Sequence, residues 1–362
     1  MKNTNSYTAN PKNERLKRDY LEWYKEADGN CDSSVENTRK TIQVYEDYTK
    51  HEDFKRFSKD RAIGFKEWLR DERKYRGQPI KESTYVSYLK RLKKFFNWIS
   101  KQPGYKKSVT SETVSFLSPT DKELSAADQS GSPDYPTIEE VVRLVNSITG
   151  DTEIDRRDRA LLSFALLTGI RETAMATLPL GSFFEGKLYV RQEHKLGVKT
   201  KRSKLIFSLV FPFDQSLLRH ISAWTAYLRE KGFGNKDPLF PKAKMFQKGE
   251  GDLCYATSRE VEPEFWKTGE SIQGVFKKRS HVASLTYYSP HKFRHLGARL
   301  ALQACRNGEH IKAVSLSFGH ELVMTIMKTY GNLTPQRMLE VREEMDFSYK
   351  KNKSIGGETG FI

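Results

Sequence analysis

Apolar residues recur at three- and four-residue intervals through most of the chain, and short β-branched runs appear in only one region. Between residues 13 and 106 four segments carry the helical period: RLKRDYLEWYKEA, SVENTRKTIQVYEDYTKH, SKDRAIGFKEWLRDERKY and KESTYVSYLKRLKKFFNWISKQ, separated by polar turns. In the fourth, Tyr85, Tyr88, Leu89, Leu92, Phe95, Phe96 and Ile99 form the stripe predicted to be buried. Lys81, Lys90, Arg91, Lys93 and Lys94 lie largely elsewhere on that helix, as a basic strip suited to phosphate contact. From about Pro103 to Pro136 the composition shifts to Ser, Thr, Asp, Gly and Pro and the period lapses, which predicts an interdomain linker. Thr137 followed three residues later by Glu140 is a capping-box signature, opening the helix IEEVVRLVNSI and a second domain.

In that second half DRALLSFALL is so apolar that it predicts a deeply buried helix, broken by Gly169 with Arg171 directly after. GKLYVRQE and KLIFSLVF, flanking the basic HKLGVKTKRS, predict a β-hairpin with Lys195, Lys199, Lys201 and Lys204 near its tip. QSLLRHISAWTAYLREKG reads as an amphipathic helix, NKDPLFPKAKMFQKGEGD as loop, and EPEFWKTGESIQGVFKKRSHV as a further helix. TPQRMLEVREEMDF, after Tyr330, predicts one more helix, and the last residues form a polar tail.

Length and charge narrow the partners. A chain of 362 residues exceeds one ordinary core and predicts two domains. Its 21 Phe, 17 Tyr and 5 Trp supply volume for real cores. The net charge of +16 favours a polyanion, nucleic acid first. Cys31, Cys254 and Cys305 are odd in number and far apart, which excludes a disulfide framework or a C-x-x-C knuckle and fits a reducing compartment. With no signal-peptide core and no apolar run of membrane length, the expectation is a soluble intracellular protein without a membrane partner.

Candidate chemistry concentrates in SPHKFRHLGARLALQACRNGEHIKAVSLSFGHELVMTIMKTY, residues 289–330. His291, Arg294 and His295 stand at i, i+3 and i+4, so they share a helical face, and His291 and Arg294 can address one small anion. A metal fits poorly, because the Glu of H-E-x-x-H is missing and Arg294 would repel a cation. No phosphate-binding G-x-x-x-x-G-K-[ST] occurs, no G-x-S-x-G, and no catalytic-cysteine context. What remains is a phosphate site with a phenolic nucleophile. Arg171 and Arg294 would clamp the non-bridging oxygens, His and Lys would handle the protons, and Tyr330 would carry the phosphoryl group covalently. Neither a metal nor any other cofactor is needed.

These motifs, in this order, resemble those of the tyrosine recombinases, the group that includes phage integrases and the Xer proteins. The resemblance rests on Arg171 in TGIRETAMATL, the H-x-x-R of SPHKFRHLGARLAL, FGH at 318–320 and Tyr330; YVRQEHKLGVK and STYVSYLKRLKKFFNWI extend it upstream. It implies a mainly α fold with a small β-sheet, a two-domain DNA clamp. The implied organisation is a flexible N-terminus (1–12), a helical core-binding DNA-binding domain (13–108) and a linker (109–136). A mixed α+β catalytic domain (137–346) and a tail (347–362) available for exchange between subunits complete it. The implied reaction is site-specific recombination through a 3′-phosphotyrosyl intermediate and a free 5′-hydroxyl. Arg171 and Arg294 would stabilise the transition state, and Lys195 would be general acid, with Lys199 second in line. His291 would assist proton transfer, His320 would hydrogen-bond the phosphate and Tyr330 would be the nucleophile. Implied partners are duplex DNA carrying recombination sites and a homo-tetramer on two such sites, with accessory DNA-bending proteins a further candidate. Implied DNA contacts are Lys81, Lys90, Arg91, Lys93, Lys94, Lys199 and Lys201. The implied location is cytoplasmic, prokaryotic and nucleoid-associated.

Two positions depart from the family pattern. The acidic residue usual three places after the first Arg is Ala174 here, and Glu172 lies on another helical face. His320 and Tyr330 are ten positions apart where nine is commoner, and one extra residue turns a helical side chain by about 100°. Two alternatives stay open: a type IB topoisomerase-like enzyme, which relaxes DNA without pairing two sites, and a non-catalytic DNA-binding protein that keeps the fold.

Overall fold

Asn10 opens the first helix, α1 (Pro11–Glu26): its side chain accepts from the Lys12 amide at 3.0 Å, and Pro11 sits where no amide hydrogen is required. The computed structural model describes residues 9–75, 77–129, 135–200, 203–247, 255–320 and 323–330. Its chain divides into two units, residues 1–132 and 133–362.

In the first unit α1 is followed by α2 (Asp32–Thr49) and α3 (Lys59–Asp71), the two-residue strands β1 (Lys74–Tyr75) and β2 (Gln78–Pro79), and α4 (Glu82–Ile99). The buried face of α4 is Tyr85, Val86, Leu89, Leu92, Phe95, Phe96 and Ile99, with Tyr88 half-buried beside it. An aromatic core forms around it. Phe57 stacks on Phe96 at 3.9 Å between centroids, and Phe54 meets Phe95 edge-on at 5.1 Å.

The stretch expected to be a linker departs from that expectation. It holds two further helices, α5 (Ser111–Ser115) and α6 (Asp121–Gln129), and Val114 and Leu117 are fully buried in the same aromatic core. Glu123 fastens α6 by accepting from Arg70 Nη2 at 2.7 Å, Tyr85 OH at 2.9 Å and the Thr120 amide at 2.7 Å. Helices this short show too few turns for a period to register among Ser, Thr and Asp. At the other end, Pro11 and Lys12 already belong to α1 rather than to a flexible terminus.

The second unit opens with α7 (Ile138–Asn146), where Thr137 Oγ1 accepts from the Glu140 amide and Glu140 returns the bond to the Thr137 amide at 2.7 Å. The central helix is α8 (Glu153–Thr168), buried along most of its length, with α7 packed against it. Short α9 (Glu172–Met175) leads into an antiparallel sheet of β3 (Phe183–Phe184), β4 (Tyr189–Gln192) and β5 (Ile206–Leu209), with Tyr189 opposite Leu209 and Gln192 opposite Ile206. α10 (Gln215–Glu230) then packs on α8. The segment read as loop instead contains β6 (Lys242–Gln247), paired with β7 (Tyr255–Glu262) through a register shift between Ala243 and Met245. A Lys-rich strand with exposed Met245 and Phe246 has no alternating pattern to announce it; its pairing comes from β7.

α11 (Gly269–Val282) is tied to α8 by Arg279, which donates to Asp158 at 2.7 Å and Asp155 at 2.8 Å. It starts at Gly269, later than EPEFW suggests. α12 (Pro290–Gln303), α13 (Gly308–Ser317) and α14 (Val323–Tyr330) enclose a small cluster of Ala298, Ala301, Val314, Phe318 and Ile326. α12 approaches α8 closely, because a Cβ on Gly297 would lie only 2.6 Å from the Leu166 carbonyl oxygen. Among the described residues no helix is long and apolar enough to cross a membrane. The helix expected after Tyr330, the polar tail and Lys201 lie outside the described residues.

Candidate active site

The site begins where α8 stops. Gly169 takes the left-handed conformation, φ 58°, and its amide closes the helix on the Ala165 carbonyl. Buried Ile170 follows, and Arg171 is the N-cap residue of α9 with an extended backbone. The Arg171 guanidinium is thus launched from two fixed helix ends. It is half-buried, and no hydrogen bond or ion pair engages it among the described residues.

Arg294 reaches the same place from the first turns of α12. It is 3% exposed and donates through Nη1 to the Gly169 carbonyl and through Nη2 to the Phe318 carbonyl. Its Cζ lies 4.9 Å above the centre of the Phe318 ring, and Nη2 is 3.4 Å from His320 Nε2. Gly169 permits this stack, since a Cβ there would run into the Phe318 ring. Gly319, at φ 69°, lets the FGH turn nest against the sheet: a Cβ there would be 2.7 Å from Ile206 Cδ1 and 3.7 Å from Arg171 Nη1. Both guanidiniums therefore bear on one turn, Phe318-Gly319-His320. That turn is pinned to β5 by Ser317, whose carbonyl accepts from Ser208 Oγ at 2.7 Å and whose Oγ accepts from the Leu209 amide at 2.9 Å.

His291 lies one turn before Arg294. It is exposed on one side, and the protein packed around it lowers its pKa, followed by the positive charges of Arg294, Arg171 and Lys292. Its Nε2 is 3.1 Å from Nε2 of His295, the rings standing edge-on with centroids 4.6 Å apart. Burial and then the neighbouring His291, Lys292 and Arg294 push His295 down to about 4. Both rings are neutral at pH 7.

Of the residues singled out from sequence, Arg171, His291, Arg294 and His320 are brought together. Lys195 is elsewhere in character: it is exposed in the turn His194–Leu196 before Gly197, and no hydrogen bond or ion pair joins it to that group among the described residues. Lys199 is tethered, its amide donating to Thr177 Oγ1 at 2.9 Å and its Nζ to the Lys267 carbonyl at 3.2 Å. Tyr330 is placed by its backbone at the described end of α14, one turn after the fully buried Ile326 that seats this helix; its side chain lies outside the described residues. Ala174 is buried, and Glu172 is used to hold α11 by accepting from Gln273 Nε2 at 2.8 Å. Gly169 and Phe318 were noted in sequence only as a helix breaker and as part of FGH, and Ser317 not at all; their part in holding the arginines in place was not foreseen. The TGIR and FGH clusters contained that signal as glycines flanking the charged residues.

On α4 the basic strip divides. Lys81 and Lys90 are exposed and Arg91 half-exposed. Lys93 instead donates to Ser118 Oγ at 2.8 Å, and Lys94 pairs with Asp28 and lies 4.9 Å over the Tyr24 ring. The last two are committed within their own unit, so the strip expected on this helix is narrower than the five residues suggest.

No protein-family model matches the sequence, and no curated protein matches it either. Solved structures do match. A lambda integrase dimer bound to a COC′ core site is 12% identical, with 88% of this chain and 94% of that chain covered at a TM-score of 0.56. This chain has the fold of the tyrosine recombinases. The Tn1549 transposon integrase in complex with transposon right end DNA matches that fold over 91% of this chain and 99% of its own, at 13% identity and a TM-score of 0.57. XerH site-specific recombinase, bound to a palindromic difH substrate in a post-cleavage complex, matches over 86% and 79%, at 16% identity and a TM-score of 0.57. Within the tyrosine-recombinase fold, the mainly helical character and the small antiparallel sheets of this chain agree with the architecture expected from its motifs.

Proposed function

We propose that this chain is a site-specific DNA recombinase of the integrase type. The observation that carries the reading is the convergence of Arg171 and Arg294 on the Phe318-Gly319-His320 turn, with His291 one helical turn away. Two guanidiniums at one point suit the charge that builds on the non-bridging oxygens of a phosphodiester in transfer, and each such contact contributes on the order of 10² to 10³ in rate. Support also comes from the net charge of +16 and from the likeness in fold to integrases whose structures contain DNA.

In the proposed reaction the Tyr330 oxygen attacks the scissile phosphorus and releases its proton to solvent. The bond to the 5′-oxygen breaks, and Lys195 protonates that oxygen. The products are a 3′-phosphotyrosyl link and a free 5′-hydroxyl, and attack of a partner strand's hydroxyl on the link reverses the steps and restores Tyr330. His320 hydrogen-bonds the phosphate and His291 assists proton transfer. No metal or nucleotide is consumed, because the phosphotyrosyl bond conserves the energy of the diester. Residues 13–108, extended through α6, would bind DNA with Lys81, Lys90 and Arg91. Residues 137–346 would carry the catalysis and 347–362 would pass to a neighbouring subunit in a tetramer on two sites, in the setting of a mobile genetic element.

The test is covalent capture. The full chain is incubated with a fragment library of duplexes nicked so that cleavage is irreversible, and adducts are isolated under denaturing conditions and sequenced. A tyrosine-linked adduct at a reproducible sequence is expected, and none in Tyr330→Phe. An adduct that persists in Tyr330→Phe removes Tyr330 from its role, and monomeric relaxation of any supercoiled DNA replaces the recombinase reading with a topoisomerase.

A further inference from the structure

His295 has no role in the reaction just proposed, yet it makes the closest side-chain contact recorded for His291, Nε2 to Nε2 at 3.1 Å. At that separation two bare nitrogens would repel and two N–H groups would collide. One proton must lie between the rings. A shared metal ion is the other chemistry that brings two imidazole nitrogens so close. Here the surrounding charges are cations, Arg171 at the start of α9 and Lys292 and Arg294 on α12. Among the described residues, moreover, no group of three or more His, Cys, Asp or Glu could hold a metal.

The two neutral arrangements differ in what they leave for an incoming phosphate. If His291 were the donor, its Nδ1 would present a lone pair and repel an anionic oxygen. If His295 donates, His291 Nε2 accepts, and the ring proton of His291 resides on Nδ1 as a donor. We propose that His295 is a positioning residue for His291: it donates Nε2–H to His291 Nε2 and so holds His291 as the Nδ1–H tautomer. Both rings are held below the ordinary histidine value by burial and by the cations around them, so the neutral, single-proton pair is the state at pH 7. The direction of donation and the use of the Nδ1 donor rest on the recombinase reading; the sharing of one proton does not.

Two arms test this. The full-length wild-type protein, with 15N-labelled histidine, is studied by two-bond 1H–15N correlation at pH 7, with the two rings assigned by loss of their signals in His291→Gln and His295→Gln. His291 is expected to show an unprotonated Nε2 and a protonated Nδ1, and His295 a protonated Nε2. A protonated Nε2 on His291, or rapid averaging of both nitrogens, overturns the proposal. In the second arm, single-turnover cleavage of the captured duplex is compared between variants. His295→Phe, which cannot donate, is expected to cleave about 10²-fold more slowly at unchanged DNA affinity, the low end of what one preorganised hydrogen-bond donor to the transition state contributes. His295→Gln, whose amide can donate, recovers most of that loss. Wild-type rates in His295→Phe, or equal loss in both variants, overturn it. A wild-type protein that cleaves no DNA defeats the proposed function and leaves the first arm to decide the tautomer alone.

Discussion

Gly169 is the point where the backbone of the second unit and the candidate chemistry depend on the same atom that is not there. Replacing it by alanine has two separable costs. The left-handed backbone, φ 58°, costs an L-residue roughly 1–2 kcal/mol. In addition the new Cβ overlaps the Phe318 ring, which lies under Arg294 and cannot swing away without uncovering that guanidinium. Overpacking of this kind costs about 1–3 kcal/mol. Gly197 supplies the control: it has φ 85° and nothing within 4 Å of the Cβ position, so Gly197→Ala carries only the backbone part. Amide hydrogen exchange of α8 measures the opening free energy of the second unit without interference from the first. The expected losses are about 1–2 kcal/mol for Gly197→Ala and about 2–5 kcal/mol for Gly169→Ala. Gly169→Ala is also expected to slow covalent cleavage by at least about tenfold, through displacement of Arg294. Equal losses in the two variants would refute the steric argument, and an unslowed Gly169→Ala would refute the claim that Phe318 positions Arg294.

Further outcomes follow from individual contacts. Burial opposes ionisation of Glu123, but the Thr120 amide, Arg70, Tyr85 and Lys66 outweigh it and hold the carboxyl at about 2. The first unit should therefore keep this stabilisation above about pH 4.5 and lose roughly 2–3 kcal/mol of it as pH falls toward 2, a dependence that urea titrations should find flattened in Glu123→Gln. His295, depressed to about 4, acts with the same sign in a different window: the second unit should weaken as pH falls from about 6.5 to about 4, by up to about 3 kcal/mol, and exchange measurements on His295→Gln should show a smaller slope. On α4, Lys90→Ala should weaken DNA binding across sequences and reduce the salt slope by about 0.9. Lys93→Ala should instead mainly cost stability, because its Nζ already serves Ser118. If Lys195 is the general acid, Lys195→Ala should slow cleavage by about 10² to 10⁴, and a substrate with sulfur in place of the leaving 5′-oxygen should restore most of the rate; Lys199→Ala should need no such rescue.

The local pattern of residues was enough to determine which segments become helices and which face they bury. The stripe on α4, the Thr137–Glu140 cap of α7 and the apolar α8 each depend on neighbours within one or two turns, and such neighbours are adjacent in sequence. The motif residues Arg171, His291, Arg294 and His320 were legible for a related reason, since few chemistries need that combination. Tertiary structure alone decided what each charged group faces. Lys93 and Lys94 read alike as surface cations, but Ser118 and Asp28 occupy them, and both partners come from connecting segments distant in sequence. Glu123 belonged to a stretch without a period and turned out to anchor α6, because its partners are 38 and 53 residues distant. Arg294 shows the limit best. Sequence made it a candidate for phosphate, but its orientation comes from a carbonyl 125 residues away and a ring 24 residues away, supplied where a left-handed glycine ends α8 and a second glycine lets the FGH turn close. Periodicity reports the side of a helix that meets the core; only the packed chain sets which distant backbone oxygen waits there.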